Sequence, residues 1–177
     1  SKNTLVIYSS DQGFFTGEHG WAEKRWMYEE SFKSPLIMRW PGTIEPGSRI
    51  VKLVQNIDLA PTFLKASGLP VPDSIHGLAL QPLFSNEYNF PWRKDILYQY
   101  FDGGTPEKRG PYNMPRHEGI RDQRYKLISF YELNQWEFYD LKNDPNELNN
   151  LINDQSWSNE IIRMKKRLKI LKNKFNQ

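Results

Sequence analysis

The sequence predicts an α/β chain. Residues 1–92 read as part of a mixed sheet flanked by helices, and residues 93–177 as a small α+β unit with an antiparallel sheet and a C-terminal helix. Three observations carry this. The apolar run Leu5-Val6-Ile7-Tyr8 stops abruptly at Asp11-Gln12-Gly13, as a buried strand of a parallel sheet does where it meets the loops at the sheet's carboxyl edge. Short runs rich in tyrosine and isoleucine in the second half are separated by turn residues at close spacing, the pattern of an antiparallel meander. Ile161, Met164, Leu168, Leu171 and Phe175 then repeat at alternating intervals of three and four, one apolar stripe along a helix.

In chain order, Leu5 to Tyr8 is the first strand and Gly13 to Gly20 a loop. Trp26 to Phe32 contains a helical turn. Pro35 to Trp40 is a second strand, closed by Pro41-Gly42, and Pro46-Gly47 punctuates the turn that follows. Asp58 is expected to cap a helix from Leu59 to Ser67. Pro61 sits in its first turn, where a missing N–H costs nothing, and Gly68 ends it. Leu59, Phe63 and Leu64 are expected to face the core. Pro70 to Pro82 is a connector, and Pro91-Trp92-Arg93 joins the two domains. Ile96 to Phe101 is a strand and Gly103 to Pro115 a polar loop. Gly119 to Arg121, Tyr125 to Tyr131 and Trp136 to Tyr139 are further strands, and a helix runs from Ser158 to Phe175.

With 38% apolar and 14% aromatic residues, the 177-residue chain can bury a core. The net charge of +3 is local: the tail holds Arg163, Lys165, Lys166, Arg167, Lys169, Lys172 and Lys174. The remainder is slightly acidic, so the charge does not point to a nucleic-acid partner. The absence of cysteine excludes disulfides, thiolate metal sites and a cysteine nucleophile within the chain. No run reaches the length of a membrane span, and no signal segment is read at the start. The first strand begins almost at once, and the native protein is expected to start further upstream.

Asp11 and Gln12 are hard oxygen donors at the end of a strand. They read either as turn chemistry before Gly13 or as two ligands of Ca²⁺ or Mg²⁺. Calcium takes about six to eight oxygens, so the remaining donors would come from elsewhere. Lys24 follows Gly17 and Gly20. It is either a solvated charge or a compact cation that neutralises an oxyanion beside the metal. Arg25 does the same or pairs with Glu29. His19 is expected to fix its loop, and His76 to be structural. Arg116 and His117 lie in a polar loop, either exposed or aimed at a polar substrate. The basic helix is expected to pack on the meander with its charges in water.

Several of these segments together resemble type I sulfatases of the alkaline phosphatase superfamily. Ser9-Ser10-Asp11-Gln12-Gly13, Gly17-Glu18-His19-Gly20-Trp21 and Lys24-Arg25 resemble the family's second signature region. Pro35 to Gly42 and Asn56 to Leu64 resemble its next strand and helix. Gly119-Ile120-Arg121, Tyr125-Lys126-Leu127-Ile128, Glu137 to Leu141 and Asp144-Pro145-Asn146-Glu147 resemble its C-terminal subdomain. Lys24-Arg25 with Tyr28-Glu29, and Arg116-His117 before Gly119, narrow the likeness to N-acetylglucosamine-6-sulfatases and mucin-desulfating sulfatases.

The resemblance implies hydrolysis of a sulfate ester on a sulfated carbohydrate such as N-acetylglucosamine 6-sulfate. It implies Asp11 and Gln12 as calcium ligands, Gln12 being a variant that keeps an oxygen donor, and Lys24 as the sulfate contact. Arg25, Arg116 and His117 are implied at the substrate. Sulfatases make a formylglycine nucleophile from a Cys/Ser-x-Pro/Ala-x-Arg motif, and none occurs here. The chain is therefore expected to be the C-terminal portion of a sulfatase, inactive alone, from a periplasmic or secreted protein. A sheet cut at its first strand is expected to self-associate, to loosen, or to leave apolar surface open. Two rivals remain: a phosphonate or phosphodiester hydrolase of the same superfamily, and a non-catalytic glycan-binding module.

Overall fold

The computed structural model describes residues 2–85, 90–102 and 114–175, so most of the expected loop at 103–115 lies outside the described residues. In chain order the elements are β1 (Val6–Ser9), β2 (Phe15–Thr16), β3 (Ala22–Glu23), α1 (Glu29–Phe32), β4 (Leu36–Arg39), α2 (Leu59–Ala66), β5 (Asp95–Tyr100), β6 (His117–Asp122), β7 (Tyr125–Phe130), β8 (Gln135–Asp140) and α3 (Ser158–Lys174). They belong to two compact units. One comprises Ser1–Asp11 and Ser34–Arg93, the other Gln12–Lys33 and Lys94–Gln177.

In the first unit, β1 pairs with β4 antiparallel, Tyr8 opposite Ile37 and Ser9 opposite Leu36. This corrects the expected buried strand of a parallel sheet. A continuous apolar run does not by itself fix strand direction, and β1 is partnered by the strand that returns beside it. Side chains alternate across a strand, so one face of this ribbon carries Val6, Tyr8 and Ile37, which are 50%, 65% and 65% exposed. Apolar surface is thus open on the first strand, one of the three outcomes expected for it.

Asp58 stands at the N-cap position of α2 as expected, but its side chain makes no cap hydrogen bond to the helix. Its buried carboxylate accepts the Gln55 and Leu78 N–H groups at 2.8 and 2.7 Å. It also takes both arms of the Arg93 guanidinium, Nη2–H to Oδ1 at 2.6 Å and Nη1–H to Oδ2. A buried carboxylate needs every lone pair met, and a helix cap would meet only one or two. The inward face of α2 follows from the same anchoring. Thr62 donates to Asp58 O at 2.6 Å and accepts from the Leu80 N–H at 2.9 Å. Pro61 and Thr62 are accordingly the buried positions, and Phe63, expected in the core, is 47% exposed.

The second unit is built on the expected meander, an antiparallel sheet in the order β5-β6-β7-β8. Its register decides what each face carries. Ile120 lies opposite Leu127 and Leu127 opposite Phe138. These three pack with Ile161, Met164, Leu168 and Leu171 of α3, the stripe read from the sequence. The next residues along each strand point the other way. That face carries His117, Gly119 and Arg121 of β6, Lys126 and Ile128 of β7, and Glu137 and Tyr139 of β8. Phe15, Trp26, Met27 and Tyr28 from the Gln12–Lys33 segment pack there with Ile128, Phe130 and Tyr139. Gly119 allows this: a Cβ would collide with Met27 Sδ and Leu127 O. The basic helix does not leave all its charges to water. Arg163, Arg167 and Lys172 reach Asp122, Asp95 and Glu118 at 2.6, 2.7 and 2.6 Å.

Candidate functional site

Asp11 is the last residue of its stretch of the first unit and Gln12 the first of the second. Asp11 is exposed, with Ser10 Oγ 3.4 Å from its Oδ1, and Gln12 is half-buried. Among the described residues no group of three or more His, Cys, Asp or Glu side chains could hold a metal ion. Two oxygen donors do not close a calcium shell of about six to eight, and the described residues supply no such cluster to complete it.

The other expected residues, Lys24, Arg25, Arg116 and His117, all lie in the second unit. Lys24 and Arg25 follow a small hairpin in which Phe15 pairs with Glu23 and Thr16 with Ala22. The Glu18 carboxylate closes the hairpin loop, accepting the Thr16 N–H at 2.6 Å and the Thr16 hydroxyl at 3.0 Å. Backbone N–H bonds, its own and that of Thr16, together with the hydroxyl, hold Glu18 below the usual carboxylate range. His19 packs in this loop by its ring and not by the expected hydrogen bond: it stacks on Tyr28 at 4.4 Å, and its Nε2 lies 3.5 Å from Glu30 Oε2 without bonding to it.

Lys24 is half-buried and flanked by two non-glycine residues with left-handed backbone, Glu23 at φ 76° and Arg25 at φ 97°; His19 adds a third at 54°. Each such residue costs of order 1–3 kcal/mol and persists only where its surroundings impose it. The surroundings here are named. Arg25 N–H donates to Ser31 Oγ at 2.9 Å, and Arg25 O accepts the Tyr98 hydroxyl. The Arg25 guanidinium lies 3.9 Å from Glu23 and does not pair with Glu29 as one alternative proposed. Glu29 is taken by Arg121 and Lys126 instead.

Residues 24–28 belong to neither helix nor strand, and Trp26, Met27 and Tyr28 are buried. Their backbone groups must therefore find side-chain partners. Lys126, fully buried in β7, supplies one. Its ammonium donates to Met27 O at 2.6 Å and lies 2.9 Å from Glu29 Oε1 and 2.8 Å from Glu147 Oε1. Glu147 Oε2 accepts the Glu29 N–H at 2.6 Å. Burial pushes Glu147 up to about 7 in spite of Lys126 beside it. Burial raises Glu29 as well, but Lys126 and Arg121 outweigh it and draw that carboxyl down to about 2. Glu137 accepts hydroxyls from Tyr28 at 2.9 Å and Tyr139 at 3.0 Å. Sequence reasoning assigned no role to Lys126 or Glu147. The one signal was a lysine inside the apolar run Tyr125 to Ile128, on the face opposite Leu127.

His117 is not in a loop but opens β6, and it is fully buried. Its Nδ1 lies 3.0 Å from Pro115 O, and the rings of Trp26, Tyr98, Tyr100 and Phe130 surround it at 5.3–5.7 Å. Burial lowers its pKa and so favours the neutral ring. In this arrangement His117 supports Trp26 from beneath and presents no edge to solvent. Arg116 is half-buried and turned along the strand ends: its Nε donates to Phe101 O at 2.8 Å, and its N–H to Glu132 at 3.1 Å. His76 is exposed.

Comparison with known proteins adds the following. The family model described as N-sulphoglucosamine sulphohydrolase, C-terminal, matches residues 17–174. An N-acetylglucosamine-6-O-sulfatase of Bacteroides thetaiotaomicron is 45% identical over 159 residues, 88% of this chain and 28% of its own length. A protein solved in complex with its substrate D-glucosamine-2-N,6-O-disulfate superposes on 99% of this chain and 35% of its own, with TM-score 0.89 and 40% identity. The phosphonate monoester hydrolase of Agrobacterium radiobacter superposes on 96% of this chain and 35% of its own, with TM-score 0.80 and 26% identity. The chain thus spans about a third of these relatives' length or less. The likeness to sulfatases and their superfamily read from the sequence is borne out.

Proposed function

This chain belongs to the N-sulphoglucosamine sulphohydrolase C-terminal family, and on that premise we propose that the intact protein hydrolyses sulfate esters of glucosamine, at the 6-position. The single observation that carries the reading is the 45% identity to an N-acetylglucosamine-6-O-sulfatase over 88% of the chain. Residues 1–92, apart from Gln12–Lys33, which fold with the second unit, then form part of the catalytic α/β domain, and residues 93–177 its C-terminal subdomain. Asp11 and Gln12 contribute two oxygen donors to a calcium site completed by residues outside this chain.

The Lys24 ammonium neutralises a sulfate oxygen. Holding a cation where charge builds on that oxygen lowers the barrier without reorganisation at the moment of reaction. Arg25 and Arg116 bind the sugar, and His117 holds Trp26 and its neighbours behind them. The nucleophile is a formylglycine encoded outside this chain, so the 177-residue chain alone releases no sulfate.

The test is sulfate release from N-acetylglucosamine 6-sulfate by the full-length protein, beside Lys24→Ala and an aryl phosphonate ester. Saturable release that falls by about two orders of magnitude or more in Lys24→Ala is expected. Turnover of the phosphonate ester alone would favour the phosphonate hydrolase, which the likeness to the Agrobacterium radiobacter enzyme keeps in view. Near-normal turnover in Lys24→Ala would remove that residue from the chemistry.

A further inference from the structure

Every second residue from Arg25 to Glu29 has a backbone group held by a side chain of the sheet or its connections. Arg25 O is held by Tyr98, Met27 O by Lys126 and the Glu29 N–H by Glu147. Between them, the side chains of Trp26 and Tyr28 are buried, Trp26 against His117 and Phe130 and Tyr28 on Glu137. Lys24 is thus the residue at which this clamped stretch meets the left-handed turn.

Two features set Lys126 and Glu147 apart from ordinary core residues. Both side chains are fully buried, yet each spends an ionisable group on the backbone of this one segment. Glu147 also stands at φ 53°, a conformation glutamate rarely takes, and this aims its carboxylate at the Glu29 N–H. An apolar pair would fill the same space without leaving charges to satisfy, so the pair's distinguishing effect is directional.

We propose that Lys126 and Glu147 are positioning residues for Lys24: the buried pair pins the backbone of residues 27–29 and so fixes the turn that presents the Lys24 ammonium. The proposal rests on the reading of Lys24 as the sulfate contact. It extends that reading to residues that never touch substrate. A displacement of about 1 Å at a catalytic group can cost about a hundredfold in rate, so the pin acts on turnover more than on substrate affinity.

The experiment uses the full-length protein and Glu147→Gln, which keeps the shape and removes the charge. Turnover of N-acetylglucosamine 6-sulfate is expected to fall about tenfold to a hundredfold with KM changed far less. In a Lys24→Ala background the same substitution is expected to change turnover less than about twofold, because residues acting through one group are not additive. Amide exchange at residues 24–29 is expected to speed up while that of residues 161–171 stays as in the unsubstituted protein. Equal fold-losses in the two backgrounds, or unchanged exchange at 24–29, would overturn the proposal. Failure of the sulfatase reading looks different: the unsubstituted protein would release no sulfate, while the exchange result would still report on the pin. If Glu147→Gln does not fold, Lys126→Met with Glu147→Met removes both charges together and takes its place.

Discussion

The two faces of the β5–β8 sheet are made from the same strands and do different jobs. Beneath α3, Ile120, Leu127 and Phe138 meet Ile161, Met164, Leu168 and Leu171 in an apolar cluster, with the ion pairs of Asp95, Glu118 and Asp122 to the helix around it. On the opposite face Lys126, Arg121, Glu137 and His117 lie among the aromatic rings that cover Trp26 and Tyr28. Apolar burial is non-directional and tolerates exchange of similar volumes. Buried polar groups are directional and tolerate little. The first face holds the unit together, and the second fixes where one irregular segment lies. Apolar packing and directional anchoring thus lie on opposite sides of one sheet.

That contrast breaks most sharply at Lys126. Lys126→Met leaves Glu147 buried without its cation, and should lower unfolding free energy by about 3–5 kcal/mol in denaturant titrations. Leu168→Ala, on the apolar face, should cost about 2–5 kcal/mol through the cavity it leaves. It should leave turnover of the folded fraction, and exchange at residues 24–29, as they are. A Leu168→Ala effect on KM or kcat would show that the faces are not independent.

pH separates the two carboxylates of the polar face. Glu147 sits at about 7 in the fold against an ordinary 4.5, so the native state holds that proton more tightly than the unfolded chain. Its contribution is present below about pH 4.5 and lost as pH rises to about 7. Glu29 runs the other way: drawn to about 2, it stabilises above about pH 4.5, and that contribution is lost as pH falls towards 2. Each slope spans at most about 3 kcal/mol. Denaturant titrations from pH 4 to 8 should show the slope towards neutrality vanish in Glu147→Gln. The smallest effect belongs to the rim. Arg163→Ala, which breaks a 43%-exposed contact to Asp122, should cost less than about 1 kcal/mol, the more so in high salt.

How much of this was legible in the sequence follows the same division. The meander, α3 and the α3 stripe were readable because apolar periodicity reports apolar faces, and strand ends came within one or two residues. Direction of pairing was not: the run at Val6 to Ser9 carried no information about its partner, and it proved antiparallel to β4. Asp58 was legible as the residue that precedes α2, but not the use of its carboxylate, which Arg93, far along the chain, claims. The same distance in sequence hid Lys126 and Glu147. Each looks like a surface charge until the register of β7 places one beneath Met27 and the turn after β8 places the other beneath Glu29. Lys24 is proposed from its place a short loop after Asp11, whereas Lys126 and Glu147, proposed to position it, lie about a hundred residues downstream.

The glycine at 119 has a practical corollary for anyone remodelling this protein. Because Met27 rests flush on a strand position that has no side chain, the segment divides into a rewritable half and a fixed one. Phe14 and Trp21, 58% and 43% exposed, are positions that can be rewritten, provided that the buried Phe15 and His19, stacked on Tyr28, are kept between them. A graft that runs on through Met27 will seat only in a host whose β6 also lacks a side chain at the matching position.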